Sequence, residues 1–287
     1  MMKKILFFFA IIQAAFGCEA IWHNGPTQLL KDIFAIMDIS GVENLETASQ
    51  QANFRWNRPK NLERWDVYSL LDQKQRKALS KKIKGSALSK EKMPLKKYYD
   101  VVVVLGSETS RAKSRNRFFK HLCNRGISFG KIYLLGSTRD LKIGSIYDVE
   151  MAEVLEAKGI MPTEMAMINE IWEQVLNTDA LKKIPVERIQ TGQRPDGTRA
   201  STEDTLEEMV KNSKDVDGKS FLFISNNPYI VFQDAVAKKI LKSYKIEIET
   251  VGEGIRNEND LDQPLEEERV ENVLDSIAKC LTNTSRL

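Results

Sequence analysis

Tyr98-Tyr99-Asp100-Val101-Val102-Val103-Val104-Leu105-Gly106-Ser107 is the stretch on which the fold turns. Five consecutive apolar residues, four of them valine, end abruptly in Gly-Ser. β-Branched side chains are stiff at χ1 and suit a pleated surface, so a short run of them predicts a strand. No polar residue alternates with them, so both faces need cover, which predicts a central strand of a parallel sheet. Glu108-Thr109-Ser110 then leads into a helical stretch, Arg111–Arg125. Strand, polar turn and helix form the first half of a βαβ unit, and ligands gather beyond the carboxyl ends of strands in such units. Gly106 and Ser107 are therefore read as the first wall of a site.

The same rhythm continues downstream. Lys131–Leu135 reads as a second strand ending in Gly136-Ser137-Thr138-Arg139, and a long loop with a helical turn in Val149–Lys158 follows. Pro162 opens a helix through Leu176, Val186–Thr191 is a weak third strand, and Ser201–Asn212 is a helix with Ser201 and Asp204 in a variant capping box. Ser220–Ile224 is a further strand, ending in Ser225-Asn226-Asn227-Pro228, and Pro228 starts the helix Tyr229–Leu241. Tyr244–Thr250 alternates in the manner of an edge strand, and Glu266–Leu281 is the closing helix.

Upstream, Ile21–Lys97 reads as a helical accessory region and basic linker, with a helix over Gln28–Met37 and a basic helix over Gln73–Lys84. Phe54, Trp56, Trp65 and Tyr68 are interleaved with Arg55, Arg58, Lys60 and Arg64, a mixture that either docks an accessory segment or binds sugars, lipid headgroups or nucleic acid. Gly85–Pro94 reads as a solvated linker. The net charge of +3 conceals an asymmetry: Gln73–Lys97 carries ten Lys/Arg against Glu91, and Glu247–Glu271 carries ten Asp/Glu against Arg256 and Arg269. In an exported protein such a cationic stretch favours an anionic membrane surface over nucleic acid.

Export itself is the expectation from residues 1–17. Lys3 and Lys4 precede the apolar run Ile5–Phe16, which is broken only by Gln13 and followed by small residues. Cleavage after Gly17 would place Cys18 at the mature N-terminus, where lipidation is the expected fate; cleavage after Ala20 is the alternative. In an oxidising compartment Cys123 and Cys280 can pair, or both can stay buried and reduced.

Several strand tips carry the same small polar chemistry: Gly106-Ser107, Gly136-Ser137 and Ser225-Asn226-Asn227. Small residues let backbone amides approach a ligand, and helix N-termini favour an anion. Arg111, Arg115 and Arg139 are candidates to clamp a phosphate or carboxylate. Glu164, in the first turn of its helix, is the candidate acid/base. The chain holds no GxGxxG, P-loop, GxSxG, HExxH or CxxC, so no cofactor is named by motif. His23 and His121 are its two histidines, too few to suggest a His-based metal site or triad.

The order of these segments resembles the YdcF/SanA/ElyC-like bacterial envelope proteins. DVVVVLGS (100–107), the helix bearing Arg115 and KIYLLGS (131–137) carry the likeness, followed by Thr163–Ala166, Ile184–Ile189, Ser201–Thr205 and Phe221–Ala235. Ser107 and Ser137 stand where the family has glycines. Asn226 or Asn227, and Gln233, stand where it has a His and an Arg. The resemblance covers about residues 100–253. It implies an α/β, Rossmann-like, mainly parallel sheet flanked by helices over 98–287, here with a helical N-terminal extension. It also implies an envelope location: exported, in the periplasm or anchored to the membrane. The ligand expected at the strand ends is an anionic small molecule or lipid-linked phosphate.

Overall fold

The structure, a computed structural model, describes residues 18–57, 71–175, 181–213, 216–255 and 267–286. Residues 1–17, where a leader is expected, and Arg58, Lys60, Arg64, Trp65 and Tyr68 of the aromatic–basic cluster lie outside the described residues. In chain order the helices before the sheet are α1 (Gln28–Ile36), α2 (Leu45–Trp56) and α3 (Gln73–Ile83). Strand β1 (Tyr98–Val104) is followed by α4 (Thr109–Asn124), β2 (Ser128–Ser137), α5 (Ile146–Ala157) and α6 (Glu164–Val175). Then come β3 (Val186–Thr191), α7 (Thr202–Asn212), β4 (Ser220–Asn226), α8 (Ile230–Ile240), β5 (Glu247–Glu253) and α9 (Glu267–Thr284).

Two compact units emerge. The α/β unit comprises Met93–Asn226 and Ile240–Glu253; the helical unit comprises the chain up to Lys92, Asn227–Lys239 and Gly254 onward. The sequence reading placed everything from residue 98 in one α/β domain, whereas the structure groups most of α8 and all of α9 with the N-terminal helices. Their apolar faces explain the grouping. Val231, Ala235, Val270, Val273, Leu274, Ile277 and Leu281 share a core with Leu30, Ile33, Ala52, Leu79 and Ile83.

In the α/β unit the five strands are all parallel, in the order β3-β2-β1-β4-β5, a Rossmann-like arrangement. β1 sits at the centre, with Val103 opposite Tyr133 of β2 and Phe223 of β4. The valines are at most 3% exposed, so the unbroken apolar run corresponds to a strand covered on both sides. Val102, Val104, Ile132, Leu134, Leu222 and Ile224 face a core built with Phe119 of α4 and Trp172 of α6, whose rings lie 5.1 Å apart. Tyr133 alternates to the other face, where its hydroxyl meets the Ser213 hydroxyl just beyond α7 at 2.8 Å. α4 ends at Asn124, and Gly126 accommodates a positive φ of 78° in the turn to β2.

In the helical unit Thr27, Asn44 and Asp72 cap α1, α2 and α3 through their side chains. Trp56 is buried and stacks on Phe34 at 5.2 Å, so this aromatic residue docks its segment, while Phe54 is 88% exposed. The expected solvated linker after α3 is in fact anchored. Ser89 is buried, its hydroxyl donates to the Ile83 carbonyl at 2.9 Å, and its own carbonyl accepts from Ile255 at 2.7 Å. The cysteine expectation is also corrected. Cys280 is disulfide-bonded while Cys123 is free, so the two neither pair with each other nor both remain reduced. Burial pushes the Cys123 thiol up to about 11.

Candidate functional site

Parallel pairing brings the ends of β2, β1 and β4 to one edge of the sheet, with β1 between the other two. The chain reverses its direction of travel across the sheet here: β2 and β3 are laid down on one side of β1, β4 and β5 on the other. Ligands of open α/β sheets bind at such a reversal. Gly106, Ser107, Gly136, Ser137, Ser225 and Asn226 are all at this edge.

The glycines permit close approach. A Cβ at Gly106 would lie 2.6 Å from the Leu135 carbonyl oxygen and 2.9 Å from Glu164 Oε1. One at Gly136 would meet the side-chain ends of Ile168 and Met165 at 2.7 and 3.0 Å. Glu164, at the start of α6, thus reaches back over the β1 tip. Its Oε2 accepts a hydrogen bond from the Ser137 hydroxyl, and its backbone amide donates to the Arg139 carbonyl at 2.9 Å. The Arg139 amide in turn donates to Ser137 Oγ at 3.2 Å. Ser137 is buried and Glu164 half-buried, so the carboxylate is held from the protein side.

Arg115 and Arg139 are buried, and their guanidinium groups bind the protein itself. Arg115 Nε donates to Asn226 Oδ1 at 3.0 Å, and its Nη1 donates to the carbonyls of Leu105, at 2.8 Å, and Gly106. This one side chain ties the β1 tip to the β4 tip. Arg139 Nη1 pairs with Asp148 Oδ2 at 2.9 Å. Asp148 is fully buried and also accepts from the Thr109 amide at 2.8 Å and hydroxyl at 2.7 Å. Sequence reasoning passed over Asp148 because it sits alone in a segment of otherwise mixed character. The signal available was Ser145 three residues before it, the spacing of a capping box.

Arg111 is half-buried in the first turn of α4, with Nη1 3.6 Å from Glu108 Oε1. Glu108 also accepts from the Ser110 hydroxyl at 2.5 Å. Two carboxylates, Glu108 and Glu164, therefore border the same edge as three arginines. This balance suits a ligand with hydroxyl groups as well as an anion better than it suits a bare anion. Asn227 belongs to the helical unit, where its Nδ2 donates to the carbonyls of Ala87 at 3.2 Å and Lys90 at 2.6 Å.

Among the described residues no group of three or more His, Cys, Asp or Glu side chains could hold a metal ion, and no helix is long and apolar enough to cross a membrane. No protein-family model matches the chain, and no curated protein matches it.

Proposed function

We propose that this is an exported, YdcF/SanA/ElyC-like envelope protein that binds a phosphate-bearing or nucleotide-like ligand at the carboxyl ends of β2, β1 and β4. The observation that carries this reading is Glu164, bonded to Ser137 and poised over Gly106 where adjacent parallel strands end. In this reading the first-turn amides of α4 and Arg111 take the phosphate. Glu164 accepts the ligand's hydroxyl groups and is the acid/base if a reaction follows. Arg115 and Arg139 act as positioning residues, because their donors hold the strand tips and the following loop in place.

A thermal-shift series with inorganic phosphate, a nucleoside monophosphate, a dinucleotide and a detergent-solubilised prenyl phosphate tests it. A ligand at a hundred times its Kd stabilises the folded state by about 2.7 kcal/mol, which raises Tm by roughly 5–10 °C in a chain of this size. Arg111→Ala and Glu164→Gln should abolish the shift. No shift with any probe, or a shift untouched by both variants, would refute the site.

A second reading, a non-catalytic envelope module with a degenerate site, is favoured by Asn226 or Asn227, and Gln233, where the resembling family has His and Arg. In that case the basic and aromatic N-terminal region makes the contacts, with Lys74, Lys77 and Lys81 exposed on α3 and Phe54 exposed on α2. Binding to anionic vesicles that is lost on reversing these lysines, without any small-ligand shift, would favour the module.

A further inference from the structure

One helix of the α/β unit is covered on one side only. The inner face of α5 buries Asp148, Met151, Ala152 and Leu155, while Ile146 is 71% exposed and Tyr147 and Val154 are exposed beside it. More apolar surface adjoins this face. Ile143, in the turn before α5, is 74% exposed. After α5 the positive φ of Gly159 (71°) turns the chain, and residues 160–163 lead back to Leu141, just ahead of the helix. The Ile160 amide donates to the Leu155 carbonyl at 2.9 Å at one end of this return, and the Leu141 amide donates to the Pro162 carbonyl at 3.0 Å at the other. The return exposes Ile160 and, at 79%, Met161. Single exposed apolar residues are ordinary, but six within one local stretch mark an interaction surface.

The charge on this face has one sign. Lys142 and Lys158 are the cations of residues 140–163, and each is already paired, Lys142 with Glu156 and Lys158 with Glu170 at 2.6 Å. Glu150 and Glu153, both exposed, are left to face solvent. Ile146, Glu150 and Val154 recur at every fourth position. A single ridge of α5 therefore presents apolar, acidic and apolar side chains in turn, with Glu153 beside Glu150.

We infer that this face docks a partner protein through a cationic amphipathic helix. The partner's apolar residues cover Ile146, Tyr147, Val154 and Met161, and its Lys or Arg side chains pair with Glu150 and Glu153. A helix laid along an apolar ridge buries side chains spaced three and four residues apart, the repeat that α5 offers. Tyrosine and methionine are favoured anchors of such contacts, methionine because its thioether adapts to irregular partners. Charge decides against the other occupants. An anionic bilayer would meet two exposed carboxylates of its own sign. A two-fold contact between copies of this chain would set Glu150 and Glu153 against the same residues of the second copy. None of these residues belongs to the strand-edge site, so the docking face stands or falls without it.

Fluorescence anisotropy on the full chain provides the test. The probes are a labelled Leu/Lys amphipathic peptide of about 18 residues, which as a helix outreaches α5, and a Leu/Glu peptide of the same pattern. The Leu/Lys peptide should bind saturably with a Kd on the order of 10 μM or tighter, and the Leu/Glu peptide should not bind. Ile146→Ser with Met161→Ser should weaken binding by about tenfold or more. Glu150→Lys with Glu153→Lys should do the same and should create binding of the Leu/Glu peptide, which a merely adhesive surface would not. All four side chains are exposed, so circular dichroism should show the fold retained in both variants. Absence of saturable Leu/Lys binding, binding that survives both variants, or binding of both peptides to the unaltered chain would each overturn the proposal. So would adsorption to phosphatidylglycerol vesicles, or self-association, that replaces peptide binding and is removed by Ile146→Ser with Met161→Ser.

Discussion

At the scale of single residues, the glycines of the sheet edge differ in what surrounds them, and the difference is measurable. At Gly252 on β5 a Cβ would fall 2.3 Å from the Ser225 carbonyl oxygen and 2.5 Å from its carbon, both backbone atoms of the adjacent strand. At Gly136 the two nearest atoms are the ends of the flexible Ile168 and Met165 side chains, at 2.7 and 3.0 Å, with the Met165 Cα at 3.2 Å behind them. Gly252→Ala should therefore destabilise the chain by about 2–3 kcal/mol or more and Gly136→Ala by about 1 kcal/mol, read as urea midpoints. Asp148 offers a second measurement. Replacing it with alanine removes the carboxylate paired with the buried Arg139 guanidinium and the acceptor of the Thr109 amide, so a loss of about 3–5 kcal/mol is expected. The sequence did reveal Gly and Ser at the strand tips, because the apolar run Val101–Leu105 stops at Gly106-Ser107 and both are turn formers. It did not reveal that Arg115 and Arg139 face inward. An arginine's sequence position marks its charge, while its partners, Asn226 and Asp148, come from other elements.

At the scale of elements, alternation and caps made most of the fold legible. The Val186–Thr191 strand and the helix capped by Ser201 emerge with the bounds read from sequence. Ser201 donates to Asp204 Oδ2 through its amide at 2.6 Å and its hydroxyl at 2.7 Å, and Arg194 Nε adds a bond at 2.8 Å. Burial alone would raise the Asp204 carboxyl, but these donors more than offset it and hold it below its ordinary 3.8. A carboxyl so held binds fewer protons in the folded chain than in the unfolded one. Its contribution is present above that value and is lost as pH falls through and below it. Ser201→Ala should lower stability by about 1 kcal/mol at neutral pH, and the deficit should narrow when the urea titration is repeated below pH 4. Helix α5 was less legible and was expected as only a helical turn. It buries the polar Asp148 with Met151, Ala152 and Leu155 while Ile146, Tyr147 and Val154 are exposed, so apolar residues lie on both faces and the amphipathic pattern is blurred. Helix α2 escaped notice because its buried face is made of small residues, Ala48, Ser49 and Ala52, with only Trp56 large.

At the scale of the whole molecule, the parallel pairing agrees with strand connections long enough for crossovers, while the order β3-β2-β1-β4-β5, with the more polar β3 and β5 at its ends, is set by packing across the sheet. The membership of α9 does not follow from any local pattern, since which apolar faces meet is decided by long-range packing. That membership is open to test. Deleting Glu267–Thr284 removes Val270, Val273, Leu274, Ile277 and Leu281 from the helical core. The far-ultraviolet circular dichroism should then lose more helix than the 18 residues deleted, because α1–α3 forfeit their shared interior.

The same arrangement sets a timetable for the nascent chain. α1–α3 leave the ribosome well before α9, yet α9 completes the interior that shelters them. Growth from N- to C-terminus therefore exposes Leu30, Ile33 and Leu79 throughout synthesis. A chain in transit must be kept from sticking to its neighbours until α9 has been made, so a product stalled before α9 is a substrate for holding chaperones and proteases.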